Sequence, residues 1–176
     1  MPIPQKKIKI DGIKLSDQLL AIQLLNDTHS PGLVLHLCKR LTENKINIAF
    51  LSSSGRGDQT RCSCCVDSKD ETGAKKIILS DLSLSPYITF VPEVGLLSLF
   101  PHHSSLEILG LALCAFGDSS IPLYGMASSL SSLTFMTDFA LMDKAVAALV
   151  HQLAVPPEIV PFRQQVHVRQ SDIPEK

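Results

Sequence analysis

The sequence has no tryptophan, and aromatic residues make up only 5% of its 176 residues. A packed core must therefore consist mainly of aliphatic side chains, and a hydrophobic content of 45% supplies enough of them. The formal net charge is −1, and basic residues cluster only at Lys6, Lys7 and Lys9. Because a nucleic-acid-binding surface needs a basic excess or stripe, we expect no nucleic-acid partner.

Long apolar segments are also missing. The first ten residues, MPIPQKKIKI, contain no apolar signal-peptide core. The longest apolar run, residues 106–117, is too short to span a bilayer. These absences predict a cytoplasmic protein without a membrane partner, in which the five cysteines are reduced.

The hydrophobic pattern predicts a β-α-β-β-α-β unit over residues 8–92. The first helix begins after a Ser30-Pro31 start signal and buries Val34, Leu37 and Leu41 on one face. A second helix is expected at about 70–80. The strands are predicted at 8–15, 17–25, 46–54, 60–67 and 86–92. The segment 8–15 is an extra strand ahead of this first unit.

The same order repeats over residues 93–170, with residues 1–7 and 171–176 as flexible termini. Ser104 and Glu107 form a possible capping box for the first helix of this second unit. Aligning Ile46 with Ile121 gives an offset of 75 residues, which indicates duplication. The predicted strands are 94–100, 121–129, 131–138 and 160–168, and the helices are 102–116 and 139–153.

This order predicts an α+β protein of two ferredoxin-like units, each an antiparallel sheet with two helices on one face. Such a unit leaves its other sheet face and its strand edges uncovered. Two units in one chain can cover these surfaces for each other.

The segment HSPGLVLHLCKRLTENKINIAFLSSS, residues 29–54, resembles an ACT domain, a small-molecule-sensing module of amino-acid biosynthetic enzymes. The second unit is similar, with Ser104-Ser105 in place of the Pro-Gly pair. The tandem layout over residues 8–153 resembles the regulatory region of aspartate kinase, which some bacteria also make as a separate small subunit.

The resemblance implies an amino-acid effector at an interface between paired domains, with its carboxylate on backbone N–H groups at a helix start. The chain has Ala49 and Tyr124 where the family carries carboxylates, which leaves Asp27 as the counter-ion for the ammonium group. The implied residues of the first unit are Asp27, Ser30, Pro31, Gly32, Leu33, Ile48, Ala49, Phe50, Ser53 and Ser54. Those of the second unit are His103, Ser104, Ser105, Leu106, Met126, Ser128 and Ser129.

A regulatory function without catalysis follows from the same resemblance, because the kinase domain is absent. The residues show no P-loop and no nucleophile elbow, and we expect no cofactor. The partners expected are the effector, a second copy of the chain, and a catalytic enzyme subunit. The second copy is expected because the apolar residues of the third helix cannot all face one sheet. These residues are Leu106, Ile108, Leu109, Leu111, Leu113 and Phe116.

Two alternatives stay open. The same fold could serve as a ligand-free assembly subunit of an aspartate-kinase-like enzyme. Alternatively, Cys62, Cys64 and Cys65 could form a thiol or metal site, although a zinc site usually needs a second cysteine pair. We interpret these cysteines as structural, with Cys62 and Cys64 facing the helices and Cys65 on the open face. No metal ligand is predicted.

Overall fold

A computed structural model describes residues 7–26, 32–56, 59–101, 105–156 and 162–163. The strands are β1 (Ile8–Lys9), β2 (Gly12–Leu15), β3 (Leu19–Asn26), β4 (Ile48–Arg56), β5 (Gln59–Asp67), β6 (Ile88–Phe100), β7 (Gly125–Ser128), β8 (Leu133–Asp138), β9 (Leu153–Ala154) and β10 (Phe162–Arg163). The α-helices are α1 (Gly32–Glu43), α2 (Glu71–Leu79), α3 (Leu106–Asp118) and α4 (Met142–Gln152). None of them is long and apolar enough to cross a membrane.

The first unit has the predicted ferredoxin-like arrangement. Its strands lie in the antiparallel order β6-β3-β5-β4, and β4 is the edge strand. Helices α1 and α2 cover one face, where Leu37, Leu41 and Ile78 are fully buried against the sheet. Alternating apolar residues of β3 and β5, such as Leu20, Ile22 and Cys64, supply the other half of this core.

Strand β6 corrects the prediction of separate strands at 86–92 and 94–100. It is one strand whose first half pairs with β3 and whose second half pairs with β2 and β8. Pro92 does not end the strand because the ladder shifts register there, between Leu19 and Ala21 of β3. An irregularity of this kind tolerates the missing proline N–H. The next residue, Glu93, has a φ of 55°.

The second unit corrects two strand assignments. Its antiparallel order is β7-β8-β6-β2, so the fourth strand is Gly12–Leu15 from the start of the chain. Only 162–163 of the predicted strand 160–168 are described; this part, β10, pairs in parallel with the outer edge of β2 and does not fill this place. The segment 8–15 therefore packs with the second unit, where Ile10, Ile13 and Leu15 lie in the core beneath α3 and α4.

The internal repeat is visible in how two helices end. After α1, Ile46 N–H donates to the Leu41 carbonyl at 3.0 Å, and Lys45 has a φ of 57°. After α3, Ile121 N–H donates to the Phe116 carbonyl at 2.9 Å, and Ser120 has a φ of 51°. This is the same left-handed helix ending, and Ile46 and Ile121 are the pair aligned in the sequence.

A third core cluster covers the helix-free faces of both units. Leu19, Ala21 and Cys65 of the first unit are buried together with Leu96 and Met136. The Cys65 Sγ lies 3.9 Å from the Met136 Sδ. The two units thus cover these faces for each other, as predicted, and Cys65 does not lie on an open face.

Of the termini predicted to be flexible, residues 1–6 and 171–176 lie outside the described residues. Lys7 is described, and its Nζ donates to the Val150 carbonyl at 3.0 Å, near the end of α4. The short pairing of β1 with β9 begins at the next residue, Ile8.

Candidate functional site

Several predicted site residues lie outside the described residues, and their positions stay predictions. They are Asp27, Ser30, Pro31, His103 and Ser104. The described part of the first site therefore begins at Gly32, the first residue of α1.

Gly32, at the start of α1, is exposed. Its chain neighbours aside, a Cβ placed on it would have no atom of the described residues within 4 Å. Leu33 and Val34 follow and pack partly into the first-unit core. Apolar contacts with the core therefore fix the inner side of this helix start, while no described residue beyond the chain neighbours contacts Gly32 on its outer side.

The charge distribution distinguishes α1 from the other helices. Glu71, Glu107 and Asp143 place an acidic side chain in the first turns of α2, α3 and α4, whereas the first turn of α1 has none. Backbone N–H groups at a helix start carry partial positive charge that favours an anion. In the described part of the chain, α1 is the helix whose own first turn supplies no such anion.

The register of the sheet brings only part of the predicted facing strand to this helix start. Ser53 and Ser54 pair through β5 with Leu24 and Leu25, at the end of β3 that leads towards α1. Both serines are exposed. The end of β4 therefore lies at the same end of the sheet as the start of α1.

The beginning of β4 lies at the opposite end of the sheet. Ile48 pairs with Val66, and at about 3.3 Å per residue it is roughly 20 Å along the strand from Ser54. Ala49 is exposed at a register shift, and Phe50 packs into the third cluster. Within one chain, Ile48, Ala49 and Phe50 therefore do not meet the start of α1.

Two polar residues near the first turn were missed in the sequence. Asn26 and Thr60 are directly paired at the ends of β3 and β5, and both are buried, with 2% and 7% exposure. Asn26 is the last described residue before the predicted turn. The sequence did contain a signal for Asn26. The alternation of residues 19 to 25 predicts that the side chain at position 26 is buried, and a polar residue stands there.

An ion-pair cluster holds the outer side of α1. His36 Nε2 lies 2.9 Å from Asp81 Oδ2, and Arg40 Nε lies 3.2 Å from the same oxygen. Partial burial opposes ionisation of Asp81, but the hydrogen bonds from His36 and the Ser83 N–H, with the nearby Arg40 charge, leave its pKa lowered. Asp81 follows α2, so this cluster ties α1 to the loop before β6.

The second unit places its helix start differently. Ser105 caps α3, because its Oγ accepts a hydrogen bond from the Ile108 N–H at 3.3 Å. The cap is thus Ser105, and the predicted box at Ser104 is incorrect. Because this N–H is already bonded and Glu107 follows in the first turn, the start of α3 is poorly available to a ligand anion.

The facing strand of the second unit, β7, alternates between half-buried and exposed residues. Ser128 pairs with Leu133 of β8, and Leu133 pairs with Leu99 of β6. Leu99 is near the end of β6 that leads towards α3. Ser129 Oγ accepts a hydrogen bond from the Ser132 N–H at 3.1 Å, and this bond closes the turn between β7 and β8. Met126 is 37% exposed, and Leu106 at the helix start is 82% exposed. Tyr124 donates to Asp138 Oδ1 at 2.9 Å, which raises the pKa of the Tyr124 phenol.

The three clustered cysteines are buried. Cys62 and Cys64 face the helices, as predicted, within the first-unit core. Burial, followed by the nearby Cys38 thiol, raises the pKa of Cys62 to about 11, and burial raises the pKa of Cys65 to about 12. Burial also raises the pKa of Cys64. Within the described ranges, no group of three or more potential ligands is arranged to hold a metal ion.

The fold class, an α+β protein of two ferredoxin-like ACT-type units, is the one that the sequence predicted, and the strand β6 that the two units share is the correction to it. No family model matches the chain, and no curated protein matches it significantly. Solved structures do match. The ligand-free regulatory subunit of aspartate kinase from Thermus thermophilus superposes with a TM-score of 0.70 at 14% identity, over 82% of this chain and 99% of that one.

Two further structures show the same fold. A structure of aspartokinase alpha and beta subunits matches with a TM-score of 0.71 at 15% identity, over 81% of this chain and 97% of that one. Escherichia coli aspartokinase III in complex with lysine and aspartate gives a TM-score of 0.59 at 15% identity, over 86% of this chain and 35% of that one. The chain thus has the fold of aspartate kinase regulatory subunits.

Proposed function

We propose that this chain is a non-catalytic regulatory module that binds an amino acid at the start of α1. The observation that supports it is the exposed start of α1: within the described residues, nothing beyond the chain neighbours lies within 4 Å of a Cβ at Gly32, and the first turn carries no acidic side chain. The fold that the chain shares with aspartate kinase regulatory subunits supports a regulatory function for this site.

In this proposal, the ligand carboxylate accepts hydrogen bonds from the backbone N–H groups of Gly32 and Leu33. The absence of a Cβ at Gly32 allows close approach. Asp27 pairs with the ammonium group, and Ser53 and Ser54 offer hydroxyl groups from the end of β4. The second unit, with Ser105 already capping α3, binds more weakly or not at all.

A second copy completes the site. Ile48, Ala49 and Phe50 lie at the far end of β4 from α1 of the same chain, and β4 is an edge strand among the described residues. A homodimer that brings the start of β4 in one chain towards α1 of the other would unite the two halves of the predicted site. Ligand binding would then shift the quaternary equilibrium.

The regulated partner in this proposal is a catalytic subunit in the cytoplasm. The structure of aspartokinase alpha and beta subunits provides the precedent for a separate regulatory chain of this fold. The effector changes the activity of that partner only through its differential affinity for the two assembly states.

A thermal-shift screen of the purified chain against the twenty amino acids tests the proposal. A ligand that binds only the folded state at 100 times its Kd adds about 2.7 kcal/mol to the free energy of unfolding. For a chain of this size, that raises Tm by roughly 5 to 10 °C. If no amino acid at millimolar concentration changes Tm, the chain is a ligand-free assembly subunit instead.

A further inference from the structure

The two units are joined by one two-stranded ribbon. One of its strands is the continuous segment 12–26, which carries β2 and β3, and the other is β6, which runs antiparallel to it. The second unit contains the β2 half of this ribbon, and the first unit contains the β3 half. The chain crosses between the units at residues 16–18 and again at 92–93, and these two crossings lie side by side. Adjacent crossings define an axis about which one unit can rotate against the other.

The ladder of the ribbon is irregular at these crossings. Pro92 and Glu93 of β6 stand opposite the single residue Leu20 of β3, which makes a bulge. Pro92 has no N–H to donate, and Glu93 is exposed and has the left-handed φ of 55°. Strands that pass from one packed sheet to another bend at such bulges. The ribbon therefore bends here, and the helix-free faces of the two units meet across the bend.

Ser16 holds the other strand of this bend. Its Oγ accepts a hydrogen bond from the Leu96 N–H at 2.9 Å and donates to the Asp17 carbonyl at 2.7 Å. The Ser16 N–H donates to the Leu96 carbonyl, also at 2.9 Å. A side-chain oxygen thus takes the place of the backbone carbonyl that would continue the ladder. Because Ser16 is partly exposed, water can replace the bonds of its hydroxyl group when the bend opens.

The surface between the units is small and apolar. Among the described residues, the third cluster contains six buried residues, whereas the cores of the first and second units contain twelve and sixteen. Because apolar stabilisation scales with the buried area, separating the two helix-free faces costs less free energy than unfolding either unit. A protein built in this way opens locally at such a surface before it unfolds globally.

We propose that this bend is a hinge about which the second unit swings away from the first. Opening breaks the hydrogen bonds between Ser16 and Leu96 and exposes the third cluster, while each unit keeps the core beneath its own helices. Glu93 favours the motion, because its left-handed backbone is disfavoured for a residue with a Cβ and an extended backbone relieves that strain.

The hinge lies next to the start of β4. Phe50 pairs with Cys65 and packs against the third cluster, and the Cys65 Sγ lies 3.9 Å from the Met136 Sδ of the second unit. An effector that holds the Phe50 ring on this cluster therefore stabilises the closed hinge. This link rests on the proposed function, which places Phe50 in the effector site, whereas the hinge itself does not.

Two neighbouring cysteines distinguish hinge opening from unfolding. Cys64 and Cys65 are adjacent on β5 and both have 0% exposure, but they lie on opposite faces of the sheet. Cys64 belongs to the first-unit core, and Cys65 belongs to the third cluster. Opening of the hinge exposes Cys65 alone, whereas global unfolding exposes both thiols.

The test is labelling of the native chain with iodoacetamide, read by fragment-ion mass spectrometry, with each rate divided by its rate in the urea-unfolded chain. We expect Cys65 to react about tenfold faster than Cys64 or more, because local opening needs less free energy than global unfolding. Ser16→Ala should raise the Cys65 rate about threefold or more, since the closed state loses a hydrogen bond that the open state lacks. Ser98→Ala is the matched control, because the Ser98 Oγ lies 2.8 Å from the Thr134 Oγ1 within the second unit. It removes a bond that both hinge states keep, so it should leave the Cys65 rate unchanged.

Equal rates for Cys64 and Cys65 in the wild-type chain would overturn the hinge, because Cys65 would then react only through global unfolding. An equal rise of the Cys65 rate in Ser98→Ala and Ser16→Ala would also overturn it, since the second unit would then unfold instead of swinging. The amino acid that raises Tm most should lower the rates of both thiols. A fall for Cys64 alone would overturn the link through Phe50 and leave the hinge in place.

Discussion

Gly95→Ala should destabilise the second unit because α4 begins directly on top of β6. A Cβ at position 95 would overlap with the Sδ of Met142 and would lie 3.0 Å from its Cγ and 3.2 Å from its Cε. Met142 is the first residue of α4 and is only 1% exposed, so its side chain has no solvent space into which it can move.

The expected magnitude combines two opposing effects. Overpacking a core by one methyl group costs about 1 to 3 kcal/mol. Alanine in a strand is favoured over glycine by about 0.5 to 1 kcal/mol, which offsets part of this cost. We therefore expect a net loss of roughly 1 to 2 kcal/mol in the free energy of unfolding, and a Tm lower by about 2 to 8 °C for a chain of this size.

Urea unfolding followed by circular dichroism measures this loss, and a double-mutant cycle identifies its cause. Met142→Ala alone should cost about 2 to 5 kcal/mol. In the double variant, the new Cβ occupies part of the space that Met142 leaves, so the two losses should fall short of additivity by at least about 1 kcal/mol.

Gly125→Ala is the matched control for this experiment. Gly125 is also a strand glycine, but an added Cβ would lie 3.6 Å from the Met136 Cε, an ordinary contact. This variant should be neutral or slightly stabilised. If Gly95→Ala is as stable as Gly125→Ala, or if the cycle is additive, the close packing of α4 on β6 is wrong.

Two further predictions concern the first turn and the thiols. Gly32→Val should leave Tm without ligand almost unchanged, because no described residue beyond the chain neighbours lies near the added side chain, but it should abolish the rise in Tm that the amino acid causes. Asp27→Asn should weaken binding by about 1 to 3 kcal/mol. An unchanged rise in Tm for Gly32→Val would place the ligand elsewhere. The raised pKa values of Cys62 and Cys65 keep the folded-state thiols protonated above pH 8.5, where the unfolded chain begins to lose these protons. The free energy of unfolding should therefore fall between about pH 8.5 and 11, by up to ~1.4 kcal/mol per pH unit for each thiol. Cys62→Ala should be modestly less stable at pH 7, but its free energy of unfolding should fall less steeply with pH. Equal pH slopes in the variant and the wild-type protein would contradict the burial of Cys62.

Local patterns predicted the helices and most strand positions. The apolar spacing of Val34, Leu37 and Leu41 and the residue pair Ile46 and Ile121 were sufficient for α1 and for the duplication, because both depend on neighbouring residues. Non-local pairing was not predictable in the same way. Nothing in the residues of 8–15 indicates that they pair with the second half of β6, and a proline at 92 normally ends a strand.

The candidate site was predictable only in part for the same reason. The sequence places Gly32 at a helix start and Ser53 and Ser54 at a strand end, and the structure brings these to one end of the sheet. It did not show that Ile48 lies at the opposite end, because that follows from the direction of β4 relative to α1. It also did not locate the cap of α3, since two adjacent serines, Ser104 and Ser105, are chemically equivalent candidates.

Calorimetric titration of the purified chain with the amino acid that raises Tm most tests the central claim directly, namely that one helix start in each chain binds an effector. Because the first turn of α1 carries no acidic side chain, whereas α3 is capped by Ser105 and carries Glu107, we predict a stoichiometry of one ligand per chain, with no measurable heat for the Gly32→Val variant. Two equivalent ligands per chain, or no heat from any amino acid with the wild-type protein, would contradict the proposed function.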